Sequence, residues 1–151
     1  YPKGSYKITY VGKGAEEKSI KQFVEEKELK ENVTFTGKIP REEILQILDY
    51  SECMVMISKI EAFGLVYLEA MGRGCITIGS RGEGIDGVIV HGENGFLCEA
   101  GNTSELVSLI KYINSLSSEE KDKISKNAIS TARKLTDFKA AKSYIDSVEN
   151  W

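Results

Sequence analysis

Two glutamates eight positions apart, Glu61 and Glu69, bracket a Phe63-Gly64-Leu65 triplet. If a helix begins at Gly64, the N–H groups of Phe63, Gly64 and Leu65 lack intrahelical partners, and with the helix dipole they make an anion site. Gly64 carries no side chain, which lets a phosphate come close to the backbone. A carboxylate accepts hydrogen bonds from vicinal hydroxyls, and Glu69 would stand about 7 Å along the axis from Gly64. The chemistry on offer is a diphosphate held at a helix start with a polyol on either side, which is the shape of a nucleotide sugar. Spacing alone says little, because eighteen glutamates in this chain would give roughly two such pairs by chance. The plainer alternative makes Glu61 a helix cap and Glu69 a surface acid or ion-pair partner.

These residues need a frame. Residues 53–57 form a continuous apolar run without alternation, which predicts a central strand covered on both faces and therefore parallel pairing. A helix from about Gly64 to Arg73 follows, with Leu65, Leu68 and Met71 toward the sheet and Gly74 as a left-handed cap. Upstream, residues 6–11 alternate as a strand that Gly12 and Gly14 close, and Ile20, Phe23 and Val24 recur at helical spacing until Asn32. Residues 33–36 predict a short strand ended by Gly37, and Pro40 with Glu42 and Glu43 opens a helix that ends near Tyr50. Downstream, residues 75–78 return to the core, residues 82–87 form a glycine-rich loop, Asn94-Gly95 a turn and residues 96–98 a last short strand. The rest is helical from about residue 103. Asn102 with Glu105 and Ser117 with Glu120 resemble capping boxes, and a further stretch near Asp137 places Phe138, Ala141, Ile145 and Val148 on one side.

Alternating strands and helices predict an α/β fold, a Rossmann-like doubly wound parallel sheet. Ligands in such sheets bind at the carboxyl ends of the strands, so residues 12–14, 37–41, 58–64 and 80–87 are the segments to search. With 151 residues the chain fits one domain. The net charge of -3, with both signs interspersed, gives no footprint for nucleic acid. No apolar run reaches membrane-spanning length. Lysines gather between Lys111 and Lys142, but Glu119, Glu120, Asp122 and Asp137 dilute them into a solvated helix face. Cys53, Cys75 and Cys98 lack metal or redox spacing and read as buried thiols of a reducing compartment. There is no Asp-x-Asp pair and His91 is the only histidine, so no metal and no cofactor is expected. His91 reads as a surface loop residue, and Tyr67 and Tyr112 as packing residues. Gly12-Lys-Gly14 matches neither a dinucleotide fingerprint nor a P-loop. The chain opens at Tyr1 without an initiator methionine or a signal-peptide pattern, which points to a segment of a longer protein.

The string Glu61-Ala-Phe-Gly-Leu-Val-Tyr-Leu-Glu69-Ala-Met-Gly-Arg-Gly74 resembles the signature of the family 4 retaining glycosyltransferases, two-domain enzymes of GT-B fold. Val11-Gly-Lys-Gly14, Val33-Thr-Phe-Thr-Gly37 with Ile39-Pro40, Gly82-Glu-Gly-Ile-Asp-Gly-Val-Ile89 and Gly92-Glu-Asn-Gly-Phe-Leu97 follow in the family's order. The resemblance spans nearly the whole chain and corresponds to the C-terminal, donor-binding domain. It implies that Glu61, in the catalytic site, contacts hydroxyls of the transferred sugar and is neither base nor nucleophile. Phe63, Gly64 and Leu65 approach the diphosphate and sugar, Glu69 holds the ribose, Lys38 and Ile39 meet the base through their backbone, and Gly12 lines the crevice.

It further implies a nucleotide-sugar donor, UDP most commonly, and retaining, metal-independent transfer to a saccharide or lipid-linked acceptor. The acceptor is taken by an N-terminal domain missing from this chain, so the fragment is inactive by itself. The whole protein is cytoplasmic, with peripheral membrane contact as an option. Two departures stand out. Asp86 occupies a place where the family often has glutamate. The family's upstream cations that clamp the diphosphate have no counterpart, since Lys3-Gly4 lies too close to the first strand. Two other readings remain: a sugar-nucleotide epimerase of similar fold, and a non-catalytic Rossmann-like interaction domain.

Overall fold

A computed structural model describes Pro2 and residues 4–135. The chain divides into two compact units, Tyr1–Gln46 and Ile47–Trp151. The helix expected near Asp137, with Phe138, Ala141, Ile145 and Val148, lies outside the described residues.

In the first unit β1 (Ile8–Val11), α1 (Glu17–Glu26) and β2 (Val33–Gly37) form a strand–helix–strand repeat. The strands pair in parallel from Ile8 opposite Val33 to Tyr10 opposite Phe35, and the register shifts at Val11. The helix stops at Glu26, short of the expected end at Asn32, and Asn32 serves the sheet instead. Its carbonyl accepts the N–H of Ile8 at 2.7 Å and its amide donates to the Tyr6 carbonyl at 2.9 Å, so it anchors the start of the pairing. The expected stripe on α1 is corrected at one position: Val24 is buried while Phe23 is exposed, lying beneath the Lys27 ammonium. Ile20 and Val24 are four apart and share a face, and Phe23, three on from Ile20, falls at its edge.

Helix α2 (Arg41–Asp49) follows Pro40, carries Glu42 and Glu43 in its first turn and buries Leu48. In the second unit β3 (Cys53–Val55), β4 (Ile76–Ser80) and β5 (Phe96–Cys98) form a parallel sheet in that order. The middle strand is β4, every residue of which is buried. The expectation of a central strand over residues 53–57 is therefore corrected: β3 spans three residues and exposes Val55.

Alternation along β4 and β5 sends side chains to two cores. Ile76, Ile78, Phe96 and Cys98 pack with Ile113 of α4 (Thr103–Ser115) and Ile124 of α5 (Ser118–Lys134). Leu97 packs with Ile85, Ile89, Ala128 and with Tyr67 and Met71 of α3 (Leu65–Gly72). Helices thus cover both faces of this sheet.

On α3 Met71 and Leu68 face the core as expected, and the expectation is corrected at Leu65 alone. Tyr67, Ala70 and Met71 are its buried residues, whereas Leu65 is 68% exposed. Every residue on this helix but Glu69 and Gly72 is apolar or aromatic, so the pattern alone does not select a face, and the bulky Tyr67 ring decides it. Gly74 adopts the expected left-handed conformation (φ +80°) after the helix end, and a Cβ there would meet the Ser125 hydroxyl at 2.5 Å.

Ser117 and Glu120 form a complete capping box on α5. At α4 only half of the expected box exists. The Asn102 side chain accepts the Glu105 N–H, but the Glu105 carboxylate is taken by Arg81 at 2.7 Å and by the Glu99 N–H at 2.9 Å. All three cysteines are free thiols, Cys75 and Cys98 being buried. Burial, with smaller contributions from Cys75 and Glu52, pushes the Cys53 thiol up to about 12.

Candidate functional site

The loop between β3 and α3 is held to the sheet by its main chain. The Met56 carbonyl accepts the Tyr67 hydroxyl, and the Ser58 carbonyl accepts the Ser80 hydroxyl at 2.7 Å. Ile60 then takes a left-handed conformation (φ 62°) with its side chain 95% exposed, a strained state for a β-branched residue that costs on the order of 1–3 kcal/mol. Gly64 caps α3, also left-handed (φ 67°), and a Cβ there would lie 2.7 Å from the Tyr67 ring and 3.1 Å from the Met56 methyl. Glycine is required on both counts. Among the described residues no hydrogen bond takes up the N–H groups of Phe63, Gly64, Leu65 or Val66, and no side chain caps the helix.

A second loop, following β4, docks onto the first. The Glu83 carboxylate accepts the Glu61 N–H at 2.7 Å, and the Gly84 N–H donates to the Glu61 carbonyl at 3.0 Å. The two loops touch so closely that a Cβ on Gly84 would lie 1.8 Å from the Ala62 carbonyl oxygen and 2.8 Å from the Phe63 nitrogen. The hydrogen bond from the Glu61 N–H, helped by the nearby Ile60 N–H, holds the Glu83 carboxyl below the usual carboxylate range. Burial first, and then the Glu61 and Glu83 charges, push the Tyr67 phenol up to about 12, so it stays a neutral donor to Met56. Gly79 leaves room beneath the loop for Ile85, whose methyl would be 2.6 Å from a Cβ at that position.

The structure gathers Glu61, Phe63, Gly64 and Leu65 at the start of α3, with Glu69 on the same helix. Leu65 and Glu69 are four residues apart and share a face of α3. Glu61, Phe63, Gly64 and Glu69 are half-buried and Leu65 is exposed. Gly12, Lys38 and Ile39 belong to the first unit. There the Gly12 N–H donates to the Gly37 carbonyl at 2.8 Å, which brings Gly12 beside the turn carrying Lys38 and Ile39. Lys38 is exposed and Ile39 half-buried.

Glu83, Gly84 and Ser80 were not assigned from sequence. Their signals were membership of the 80–87 loop, one of the segments at the carboxyl end of a strand, and, for Glu83 and Gly84, a place in the string over residues 82–89. Asp86, which stands where the family often has glutamate, turns back on its own loop and accepts the Gly82 N–H at 2.6 Å. His91 is a surface turn residue whose Nδ1 accepts the Leu97 N–H at 3.1 Å. Tyr67 is fully buried, and Tyr112 stands edge-on to Phe96. Among the described residues no group of three His, Cys, Asp or Glu side chains could hold a metal ion, and no helix is long and apolar enough to cross a membrane. A cavity of about 290 Å³ in the second unit is lined by Glu52, Cys53, Gly74 and Ile76, among others. It sits at the amino ends of β3 and β4, the end of the sheet opposite to the start of α3, and contains none of the candidate residues.

A family model described as glycosyl transferases group 1 matches residues 2–131 of the chain. An N-acetyl-alpha-D-glucosaminyl L-malate synthase of Bacillus anthracis is 42% identical over 98 residues, covering 65% of this chain and 25% of that protein. The chain thus spans about a quarter of the length of this curated relative. Among solved structures, HepE of Anabaena in complex with UDP-glucose aligns with a TM-score of 0.81 at 25% identity, over 95% of this chain and 40% of that one. The C-terminal domain of a glycosyl transferase group 1 family protein, LpcC of Francisella tularensis, aligns with a TM-score of 0.75 at 21% identity over 87% of this chain and 86% of that one. This last likeness, nearly end to end for both, concerns the fold alone.

Proposed function

We infer a donor-binding role from a membership that the match over residues 2–131 establishes: the chain belongs to the family of glycosyl transferases group 1. Its fold is that of the C-terminal, Rossmann-like half of a GT-B enzyme. On that footing the chain is a nucleotide-sugar-binding domain, with a UDP-sugar as donor. The observation that carries this reading is the start of α3, where the N–H groups of four successive residues, Phe63 to Val66, are left without partners at the positive end of a helix dipole. They receive the diphosphate. Glu61, just outside that end, takes hydroxyls of the sugar, and Glu69, on the face shared with exposed Leu65, takes the ribose. The roles of Lys38 and Ile39 toward the base, and of Gly12 as a lining residue, rest on the family resemblance alone. HepE, similar at 25% identity, was solved with UDP-glucose, and that supports the choice of nucleotide.

In the complete protein the reaction is retaining transfer of the sugar to a saccharide or lipid-linked acceptor held by a domain outside residues 1–151. As the bond from the anomeric carbon to the diphosphate breaks through an oxocarbenium-like state, negative charge grows on the leaving group. Fixed N–H dipoles at the α3 start stabilise that charge without reorganising. The acceptor enters on the face from which the diphosphate departs, with no protein nucleophile and no metal assigned.

Calorimetry with UDP, GDP and CDP tests the donor reading, UDP being the expected ligand. Glu69→Ala should weaken UDP binding by about 10- to 100-fold, the loss of a charged hydrogen bond to hydroxyls. Equal affinity in the variant sinks the ribose role. Failure of all three nucleotides to bind sinks the donor role and leaves a non-catalytic Rossmann-like domain.

A further inference from the structure

We propose that Glu83 is a positioning residue for the sugar end of the donor site, fixing through its hydrogen bond to the Glu61 N–H the direction in which the Glu61 side chain leaves its loop. The proposal rests on the donor reading above and extends it to a residue of the neighbouring loop.

Both main-chain polar groups of Glu61 are held by consecutive residues of that loop. The N–H goes to the Glu83 carboxylate at 2.7 Å and the carbonyl receives the Gly84 N–H at 3.0 Å. With both groups clamped, the peptide planes on either side of Glu61 are set, and its Cα–Cβ direction follows from them. The preceding residue makes the clamp necessary. Ile60 is in a left-handed conformation, and its side chain, 95% exposed, packs on nothing that would hold it there. What holds it is the main chain of the next residue, whose N–H and carbonyl are both bound by the neighbouring loop. Strain of this kind persists only where surrounding contacts over-determine it.

The Glu83 carboxylate is not otherwise engaged. Its hydrogen-bond partner among the described residues is the Glu61 N–H, with the Ile60 N–H beside it, and no lysine or arginine there forms an ion pair with it. An ionised carboxylate is an acceptor only and suits a turn that presents two donors. Gly84 completes the device, because the close approach to the Ala62 carbonyl tolerates no side chain.

The test compares Glu83→Ala, Glu83→Gln, Glu61→Ala and the double alanine variant in the full-length protein, with UDP, UDP-glucose and UDP-N-acetylglucosamine as calorimetric probes. The quantity read is the ratio of the better UDP-sugar affinity to the UDP affinity. Glu83→Ala should lower it about fivefold or more, as Glu61→Ala does, with UDP affinity kept within about twofold. Glu83→Gln keeps one acceptor oxygen and should recover most of the ratio. The double variant should lose no more than Glu61→Ala by itself, because Glu83 acts only through Glu61. An unchanged ratio with only a lower melting temperature overturns the proposal, as do losses that multiply in the double variant. If Glu83→Ala does not fold, Glu83→Asp, whose shortened side chain cannot reach, takes its place. A wild-type protein that binds none of the probes brings down the donor reading itself. One that binds UDP but gains nothing from either sugar retains that reading and refutes this one.

Discussion

Replacing Gly84 with alanine should be the most damaging single-methyl change at this site. The added Cβ would sit 1.8 Å from the Ala62 carbonyl oxygen, 2.4 Å from its carbon and 2.8 Å from the Phe63 nitrogen. All three are backbone atoms, so no rotamer can relieve the clash. Restoring an ordinary separation means moving the loops apart by about 1.2 Å or more, and that stretches the bonds Glu61 makes to Glu83 and Gly84 to about 4 Å, beyond hydrogen-bonding range. Losing one charge-assisted and one neutral bond is worth about 2–4 kcal/mol, with water recovering part of it at a half-buried site. For a chain of this size that lowers the melting temperature by roughly 4–12 °C.

Gly82→Ala in the same loop is the control. Gly82 is left-handed (φ +77°) but has nothing within 4 Å of a Cβ, so it should cost only about 1–2 kcal/mol. Thermal and denaturant melts of both variants, alongside UDP calorimetry, decide the matter. Gly84→Ala should be the less stable and should also lose UDP affinity, because the Phe63 N–H is displaced with the loop. If Gly84→Ala is no less stable than Gly82→Ala, the loops are not in the contact described.

Two further outcomes follow from groups away from the loop contact. Tyr67 and Cys53 are both pushed up to about 12 in the folded protein from ordinary values of 10.0 and 9.0, so the unfolded chain loses these protons first. Stability should therefore be full below about pH 9 and fall as pH rises toward 12, and tyrosinate absorbance should show Tyr67 held back in the wild type but no held-back group in Tyr67→Phe. Ser117→Ala removes the side-chain half of the α5 capping box, the hydroxyl that accepts the Glu120 N–H, and leaves the Ser117 N–H to the Glu120 carboxylate. It should cost about 1 kcal/mol in denaturant melts, whereas an unchanged midpoint would mean that the hydroxyl adds nothing to the fold.

Much of this frame was readable in the residues, and the gaps have physical causes. Gly74 was placed correctly after α3 because positive φ is a local demand that glycine meets, whereas Gly64 was placed at its start for lacking a side chain, and its positive φ was not foreseen. The buried strands β4 and β5 and the caps at Asn102 and Ser117 were likewise local signals. The extent of β3 was not, because an apolar run such as residues 53–57 does not say where hydrogen bonding stops. Met56 still donates to the Ile78 carbonyl, but its own carbonyl turns to Tyr67. Leu65 and Tyr67 look alike as apolar candidates, and only packing against Ile85, Ile89 and Leu97 buries the second and leaves the first outside. Glu83 was invisible for another reason. Its contact with Glu61 joins two loops 22 residues apart, and no periodicity records such a meeting.

The five described helices differ in one respect that bears directly on an anion at α3. Each of the other four carries an acid in its first turn: Glu17 in α1, Glu42 and Glu43 in α2, Glu105 in α4, and Glu119 and Glu120 in α5. An acid there offsets the positive end of the dipole from within the chain. Helix α3 has no acid in its first turn and begins at a glycine that offers no side-chain cap. An intrinsic carboxylate at Leu65 or Val66 would stabilise the isolated helix and repel a diphosphate from the same N–H groups. The two carboxylates of this segment of the chain are kept clear of that turn. Glu61 precedes the helix, and Glu69 stands a full turn beyond Leu65, where the dipole has faded but an uncharged hydroxyl pair can still be reached. On the donor reading proposed above, stability forgone at the start of α3 is what leaves room there for the charge of a ligand.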